Sequence, residues 1–394
     1  MSRLSQTWNQ HVVKKENKAL VLKTIQGKAP ISRAAIANVT GLNKGTVSSL
    51  VSELIDEKLI HESGTGKSSG GRRPVMLLLN ETAGFTISVD LGVKSILGVL
   101  TDLRGNILSE KKIRFKKKDF DDVLTLLYQL IDELKNDAPE SEYGIVGIGI
   151  GVPGVVTTEG EILLAPNLGW KKVPLQQILF DHYHVPVTVE NEANAGAYGE
   201  KVYGVGQMSN ELVYASISIG IGVGLILEGK LYKGLRGFSG ELGHMTIEKD
   251  GANCRCGNKG CWELYASEQA LLDQAQINGF DDATVEKLIE AADQGDTKAI
   301  QLLENVGDYL GVGITNIIHI FNPEQVVVGN TLRQAEKYIM PAIEKRIEKN
   351  AIGFNKNDVV LNVAKLKKHS TVMGIAAFNI EKFFEETGRE TVLT

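Results

Sequence analysis

All three cysteines of the chain lie close together, at Cys254, Cys256 and Cys261, and His244 precedes them. An odd number of thiols packed so tightly is a poor basis for disulfide bonds. One imidazole and three thiolates instead make a tetrahedral Zn²⁺ set. Three ordinary buried thiols are the alternative. The sequence predicts a zinc loop over residues 244–261, and because the protein fills all four positions, the metal would be structural rather than catalytic.

A second group of residues with a chemical role begins at Lys44, in a segment with apolar residues at helical spacing from Val47 to Ile55. This pattern predicts a helix whose apolar face packs into a small core. Its opposite face carries serines, and small polar side chains let a helix approach a DNA major groove closely. Lys44 and the helix N-terminus would contact phosphate. An ordinary solvated helix face is the alternative interpretation.

A basic finger follows that helix. Two predicted strands, 59–62 and 75–79, flank a Gly/Ser-rich span that ends in Gly70-Gly71-Arg72-Arg73-Pro74. Such a slim, extended, positively charged hairpin fits a DNA minor groove. Together with two shorter helical patterns before Gly41, the finger predicts an N-terminal winged helix-turn-helix in residues 1–82.

Charge supports this assignment, because residues 1–82 carry a net charge of +6 and the remainder −11. A basic head meets phosphate, while an acidic body resists non-specific contact with nucleic acid. Helix-turn-helix proteins usually bind two-fold sites as dimers, so we expect double-stranded operator DNA and a homodimer. The predicted DNA-binding residues are Arg33, Asn43, Lys44, Thr46, Ser48, Ser49, Arg72 and Arg73.

The elements that position the remaining residues belong to an α/β body over residues 83–394. Two glycine-punctuated hairpin units, 86–100 and 214–231, are each followed later by helices. This repetition predicts a duplicated body with a cleft between two lobes, roughly 83–190 with the C-terminal helices, and 191–375. No apolar run reaches the ~20 residues of a membrane span. The N-terminus has no signal-peptide pattern, so we expect a cytoplasmic protein.

Several motifs of the body resemble the repressor, open-reading-frame and kinase (ROK) sugar family. They are the glycine-rich run after Ile217, Gly151-Val-Pro-Gly-Val, Glu190-Asn-Glu-Ala-Asn-Ala and Cys-x-Cys-Gly-x₂-Gly-Cys-x-Glu. The resemblance implies an actin-like, ribonuclease-H-like body of the sugar kinase type, with a sugar bound between its lobes. It also implies that sugar hydroxyls contact Asn167, Asn191, Glu192, Glu241, His244 and Glu263.

The chain departs from the kinases of that family at four places. Glu192 stands where their catalytic aspartate would be, and Asp90-Leu-Gly-Val-Lys lacks the second glycine and the threonine of their first phosphate hairpin. Aliphatic residues interrupt the glycines of the second hairpin, 220–225, and Asn330 replaces a glycine near the nucleotide. Because phosphate cradles need bare backbone N–H groups, we expect lost kinase activity and no catalytic residues.

The resulting hypothesis is a sugar-responsive transcriptional repressor that releases its operator when it binds D-xylose, as its likeness to such members of the family implies. One alternative is an ATP-dependent sugar kinase with an accessory DNA-binding head. Another is a repressor of the same type that responds to glucose or to a phosphosugar. The cleft residues alone do not distinguish a pentose from a hexose.

Overall fold

The computed structural model describes residues 10–65, 73–116, 119–353 and 358–387. The N-terminal head has three helices and a small sheet of strand order β1-β3-β2. Its elements are α1 (Gln10–Lys28), β1 (Ile31–Ser32), α2 (Arg33–Thr40), α3 (Lys44–Asp56), β2 (Ile60–Thr65) and β3 (Val75–Leu79). The winged helix-turn-helix predicted from the sequence is confirmed, although most of the wing tip, residues 66–72, lies outside the described residues.

Local sequence fixes the turn between α2 and α3. The Ser32 hydroxyl accepts from the backbone N–H of Ala35 to begin α2, and Gly41 ends that helix with a φ of 72°. Asn43 then caps α3 by accepting from the N–H of Thr46. A left-handed glycine followed by an amide cap ends one helix and begins the next within a few residues.

The first lobe is built on a five-stranded sheet of order β11-β7-β4-β5-β6. A separate three-stranded sheet, of order β10-β9-β8, is formed by residues between β7 and β11. The elements are β4 (Phe85–Leu91), β5 (Ser95–Asp102), β6 (Ile107–Arg114), α4 (Phe120–Asn136), β7 (Ile145–Val152), β8 (Val155–Val156), β9 (Ile162–Ala165), β10 (Trp170–Val173), α5 (Leu175–Tyr183) and β11 (Val187–Asn191).

The second lobe repeats this arrangement with the order β14-β13-β12-β15-β16. In each lobe the first three strands are antiparallel and the next two join in parallel, as the actin-like resemblance implies. Its elements are α6 (Glu192–Val202), β12 (Leu212–Ile217), β13 (Ile221–Leu227), β14 (Lys230–Leu231), α7 (Glu263–Ala266), α8 (Glu268–Ile277), α9 (Val285–Asp293), α10 (Thr297–Phe321), β15 (Gln325–Gly329), α11 (Glu336–Asn350) and β16 (Val360–Val363).

A final helix, α12 (Ser370–Glu386), returns to the first lobe and packs on β4 and β7. Its far end reaches the head: Ile380 and Phe384 belong to the same buried cluster as Leu22 and Leu54. The head is therefore packed against the body rather than tethered to it. Among the described helices, none is long and apolar enough to span a membrane.

Candidate functional sites

The four predicted zinc ligands converge. One ligand atom from each of His244, Cys254, Cys256 and Cys261 lies within 4.8 Å of all the others. The Sγ atoms of Cys256 and Cys261 are 3.7 Å apart, and Cys254 Sγ is 3.6 Å from His244 Nδ1. A tetrahedral zinc ion with ordinary bond lengths separates two sulfurs by about 3.8 Å, and sulfur from nitrogen by about 3.6 Å. The donor set and its spacing therefore fit zinc.

The backbone of the loop holds these thiols in place. Gly260 has a φ of 67°, and a Cβ there would lie 1.7 Å from the Glu248 carbonyl oxygen, so only glycine fits. The backbone carbonyl of Asn258 accepts from the Cys254 N–H, and the side-chain amide of Asn258 donates to Cys261 Sγ at 3.5 Å. A hydrogen bond to a thiolate orients the ligand and stabilises its charge.

His244 presents its two ring nitrogens to different partners. Nδ1 lies with the thiols, whereas Nε2 is 4.0 Å from a carboxylate oxygen of Glu241. The short 3₁₀ turn Glu241–His244 places both residues on one side. Glu263, at the start of α7, lies 3.3 Å from Cys254 Sγ and 3.4 Å from His244 Nδ1. The metal loop therefore borders a set of carboxylates.

These carboxylates line a cavity of about 1430 Å³ between the lobes. The first lobe contributes Asp90 and Asn167, and the second contributes Ser218 and Gln334. The structure brings together all the residues predicted to bind sugar: Asn167, Asn191, Glu192, Glu241, His244 and Glu263. A cavity of this size accepts a monosaccharide with room to spare.

Asn191 is already engaged in the fold. Its Oδ1 accepts from the N–H groups of Ala193 and Asn194 to cap α6, and its Nδ2 donates to the Gly154 carbonyl at 2.9 Å. An amide nitrogen has two hydrogens, so one N–H is left for a ligand. Asn191 therefore offers a sugar hydroxyl a single fixed donor rather than the donor–acceptor pair that its amide type suggests.

Glu192 is joined in the cleft by a carboxyl group that is absent from the predicted sugar set, Asp90. Burial, and after it the charge of Asp90, raise the pKa of Glu192 to about 8, against a hydrogen bond with Ser216 that lowers it. Burial also raises the pKa of Asp90 to about 7, while Lys112 opposes the shift. Asp90 Oδ1 is buried and has no hydrogen-bond partner among the described residues. This pair of carboxyl groups thus retains a proton near neutral pH, so the cleft floor can donate as well as accept.

The predicted DNA-binding residues fall into two groups. Lys44, Ser48, Ser49 and Arg73 are exposed; the two serines lie on the face of α3 away from its buried stripe, and Lys44 lies at its N-terminal turn. The others have structural partners or lie elsewhere: Arg33 pairs with Glu62 at 3.0 Å, Asn43 caps α3, Thr46 is half-buried and supplies the capped N–H, and Arg72 lies outside the described residues.

Comparison with known families identifies both the body and the N-terminal head. Residues 86–382 match the ROK family, and residues 16–61 match a winged helix-turn-helix DNA-binding domain. The chain belongs to the ROK family.

Relatives and solved structures separate the regulators of the ROK family from its kinases. The xylose repressor of Bacillus spizizenii is 42% identical over 96% of this chain and 98% of its own. A solved ROK family transcriptional regulator, a homologue of the Escherichia coli MLC protein, superimposes with a TM-score of 0.84 at 32% identity, covering 96% of this chain and 98% of the other.

A ROK glucokinase from Streptomyces griseus, solved with glucose and AMPPNP, gives a TM-score of 0.69 at 28% identity. It covers only 75% of this chain but 99% of its own. The xylose repressor and the solved ROK regulator thus match this chain over nearly its full length, whereas the glucokinase matches three quarters of it. The prediction of a sugar-responsive transcriptional repressor is confirmed, and the kinase alternative is less favoured.

The second phosphate hairpin, residues 220–225, differs from what residue type alone predicts, which is that its aliphatic side chains crowd a bound phosphate. Val223 and Leu225 instead point into the core of the second lobe, while Gly222 and Gly224 pack against α6. Strand alternation sends neighbouring side chains to opposite faces, so Leu225 does not reach the cavity, although Ile221 and Val223 still line it.

Proposed function

We propose that this protein is a homodimeric, zinc-stabilised cytoplasmic repressor that binds operator DNA through its winged heads and releases it on binding D-xylose. The observation that carries the proposal is the single cleft in which every predicted sugar residue lies beside the His/Cys cluster. Carboxylates and amides supply the paired donors and acceptors that adjacent sugar hydroxyls require.

Zinc would have an indirect part in this recognition. With Nδ1 of His244 on the metal, Nε2 is held toward the cleft beside Glu241. A metal-bound imidazole has a fixed tautomer and ring orientation. His244, Glu241 and Glu263 would then present one rigid polar edge to the sugar, supported by a closed metal site.

D-xylose is proposed because relatives 39–42% identical over 94–96% of the chain are named xylose repressors, whereas the N-acetylglucosamine repressors, over 94% of the chain, are only 29% identical. The DNA-binding head would read its operator with the exposed serine face of α3 and would hold phosphate with Lys44 and Arg73. Two heads in a homodimer would reach two half-sites one helical turn of DNA apart.

Loss of kinase activity is supported by three features of the cleft. Glu192, at the position of the kinase base, carries a raised pKa, so it holds its proton at neutral pH. Val93 and Lys94 occupy the first phosphate hairpin. Asn330 has a φ of 64° and donates its amide to the Ser216 hydroxyl at 3.0 Å, which places a side chain where the kinases have only backbone.

Isothermal titration calorimetry tests the ligand. D-xylose should bind with a stoichiometry of one per chain, and D-glucose, D-ribose, xylose 5-phosphate and glucose 6-phosphate should bind more weakly. Glu241→Gln should lower the xylose affinity by tenfold or more, because the cleft then loses an acceptor. Glu290→Gln, an exposed change on α9, is the matched control. If a hexose or a phosphosugar binds more tightly than D-xylose, then the assignment of xylose as the ligand is wrong.

A coupled assay for ADP release tests the kinase alternative. With xylose or glucose and ATP-Mg²⁺, the protein should show no turnover above background. Steady turnover in the ordinary enzyme range of about 1–10³ per second would contradict the proposed loss of kinase activity.

A further inference from the structure

Helix α6, which begins at the sugar residue Glu192, is fixed to the second lobe. It packs on the face of β13 that carries Gly222 and Gly224. A Cβ on Gly222 would lie 2.9 Å from Ala193 Cβ, and one on Gly224 would lie 2.4 Å from the Ala193 carbonyl oxygen. With no side chain between helix and strand, α6 must follow any movement of the second lobe.

Helix α12 is fixed to the first lobe in the same manner. Thr371, Ile375 and Asn379, spaced four residues apart on one helix face, lie over the glycines of β7. A Cβ on Gly149 would lie 2.3 Å from Ile375 Cγ2, and a Cβ on Gly151 would lie 2.4 Å from Thr371 Cγ2. The Thr371 hydroxyl also donates to the Glu192 carbonyl at 3.4 Å, so this end of α12 lies at the cleft.

The two helices cross each other backbone against backbone. A Cβ on Gly199 of α6 would lie 2.2 Å from the Ser370 carbonyl oxygen, and a Cβ on Gly374 of α12 would lie 1.8 Å from the Ala195 carbonyl oxygen. The buried carboxylate of Glu200 strengthens this crossing. It accepts from the backbone N–H of Leu366 and from the Ser370 hydroxyl, both at 2.9 Å. A movement between the lobes must therefore turn α6 against α12 at this point.

The other end of α12 forms part of the head. Ile380 and Phe384 are buried in the same apolar cluster as the core of the head. Glu381 pairs with Lys23 of α1 at 3.6 Å and accepts from the Tyr198 hydroxyl, on α6, at 2.6 Å. The 17-residue helix spans about 25 Å, so one rigid rod connects the cleft, the crossing and the DNA-binding head.

We propose that α12 is the element that transmits sugar binding to the DNA-binding head, with the Gly199–Gly374 crossing as its hinge and Ile380, Glu381 and Phe384 as its contact with the head. This inference rests on the proposed function. When bound sugar draws the two lobes together, α6 rotates against α12 at their crossing. The head takes its new orientation from the far end of α12, and the two heads of a dimer leave their half-site spacing.

A second set of contacts between head and body provides the internal control. Lys58 pairs with Glu142 at 2.6 Å, and the Tyr143 hydroxyl donates to the Glu57 carbonyl at 3.0 Å. Glu142 and Tyr143 both lie in the loop before β7, but Tyr143 also packs against Phe383 of α12 with ring centroids 5.1 Å apart. The control variant is therefore made at Glu142, whose pair with Lys58 does not involve α12. If any attachment to the body sufficed for the signal, then both sets of contacts would carry it equally.

The experiment measures the operator affinity with and without saturating D-xylose, using full-length protein and a duplex that the protein itself enriches from random-sequence DNA. Phe384→Ala should reduce the xylose-induced loss of affinity by tenfold or more, and the milder Glu381→Gln should reduce it two- to threefold. Calorimetric affinity for xylose without DNA should stay within twofold of wild type. Glu142→Gln should respond to xylose as wild type does.

Xylose affinity measured with and without operator DNA distinguishes residues that couple the two sites from residues that only stabilise the fold. In wild type, operator DNA must weaken xylose binding by the same factor by which xylose weakens operator binding. In Phe384→Ala, xylose affinity should be the same with and without DNA. If that variant does not fold, then Glu381→Gln and Ile380→Val decide the question by the same comparison.

Two outcomes overturn the inference without touching the proposed function. One is a responsive wild type whose α12 variants respond equally. The other is a Glu142→Gln protein that loses the response as fully as Phe384→Ala does. A wild type that holds the duplex equally with and without xylose would instead contradict the proposed function itself.

Discussion

Glu192 and Asp90 lie together in the cleft between the lobes, where burial and then the charge of Asp90 raise the pKa of Glu192. Because two ionised carboxylates would repel each other in this poorly solvated site, the folded protein keeps a proton on the pair near neutral pH. The unfolded chain releases that proton at an ordinary acidic pKa.

Because the pKa of Glu192 is higher in the folded protein, its proton stabilises the fold. This stabilisation is fully present below the unfolded pKa of 4.5 and is lost as the pH rises through about 8. The free energy of unfolding should therefore fall between about pH 5 and pH 8. Glu192→Gln should flatten this fall, since the amide does not titrate, and Asp90 alone would remain. Urea unfolding at several pH values checks this, with the exposed Glu290→Gln as control. Parallel curves for wild type and Glu192→Gln would refute it.

Removal of one thiol should remove the metal. Cys256→Ser should lower the zinc content, measured by plasma mass spectrometry, from one ion per chain to none, because the remaining three ligands leave the site open. Xylose affinity should fall by about tenfold or more, since His244 loses its fixed orientation beside Glu241. Lys259→Ala changes the same loop without touching a ligand and should keep both properties. Full xylose affinity in a zinc-free protein would contradict the account of His244.

Phosphate contacts should reveal themselves in salt dependence. Lys44→Ala and Arg73→Ala should each weaken operator binding by roughly tenfold and lower the slope of log affinity against log salt by about one. Arg33→Ala should cost less, because Arg33 already pairs with Glu62. Lys230→Ala, the same charge change on β14, should have no effect. An unchanged slope in both head variants would place the DNA-binding surface elsewhere.

Lys233 joins the second lobe to the first behind the sugar residues. Its ammonium pairs with the buried Glu190, and Glu190 also accepts from the N–H of Asn191 at 2.8 Å. Lys233→Met should lower the free energy of unfolding by about 1–3 kcal/mol, less than for a fully buried pair, since the lysine side chain is 40% exposed. The double variant Lys233→Met/Glu190→Gln should recover part of the loss. Thermal denaturation provides the measurement, and an unchanged single variant would contradict it.

Local chemistry made much of the head predictable from sequence. Ser32 and Asn43 cap the starts of α2 and α3, and Gly41 ends α2, so the boundaries of both helices depend on neighbouring residues. The zinc ligands were predictable for a similar reason, because cysteines that occur nowhere else in the chain cluster in one loop.

Long-range packing was not predictable in the same way. The burial of Phe384 against the head, the approach of Gly199 to Gly374 and the proximity of Asp90 to Glu192 all join residues that lie far apart in the chain. Nothing in the local pattern of Gly199 distinguishes a helix crossing from an ordinary small residue. In the second phosphate hairpin, residue type alone does not determine which face of β13 a side chain occupies.

The most direct test of the central claim is fluorescence anisotropy of labelled operator DNA titrated with the purified protein, with and without D-xylose. We predict tight binding of a dimer without sugar and a loss of affinity of tenfold or more with saturating xylose, reversed on removal of the sugar. Operator affinity that no monosaccharide changes would contradict the account.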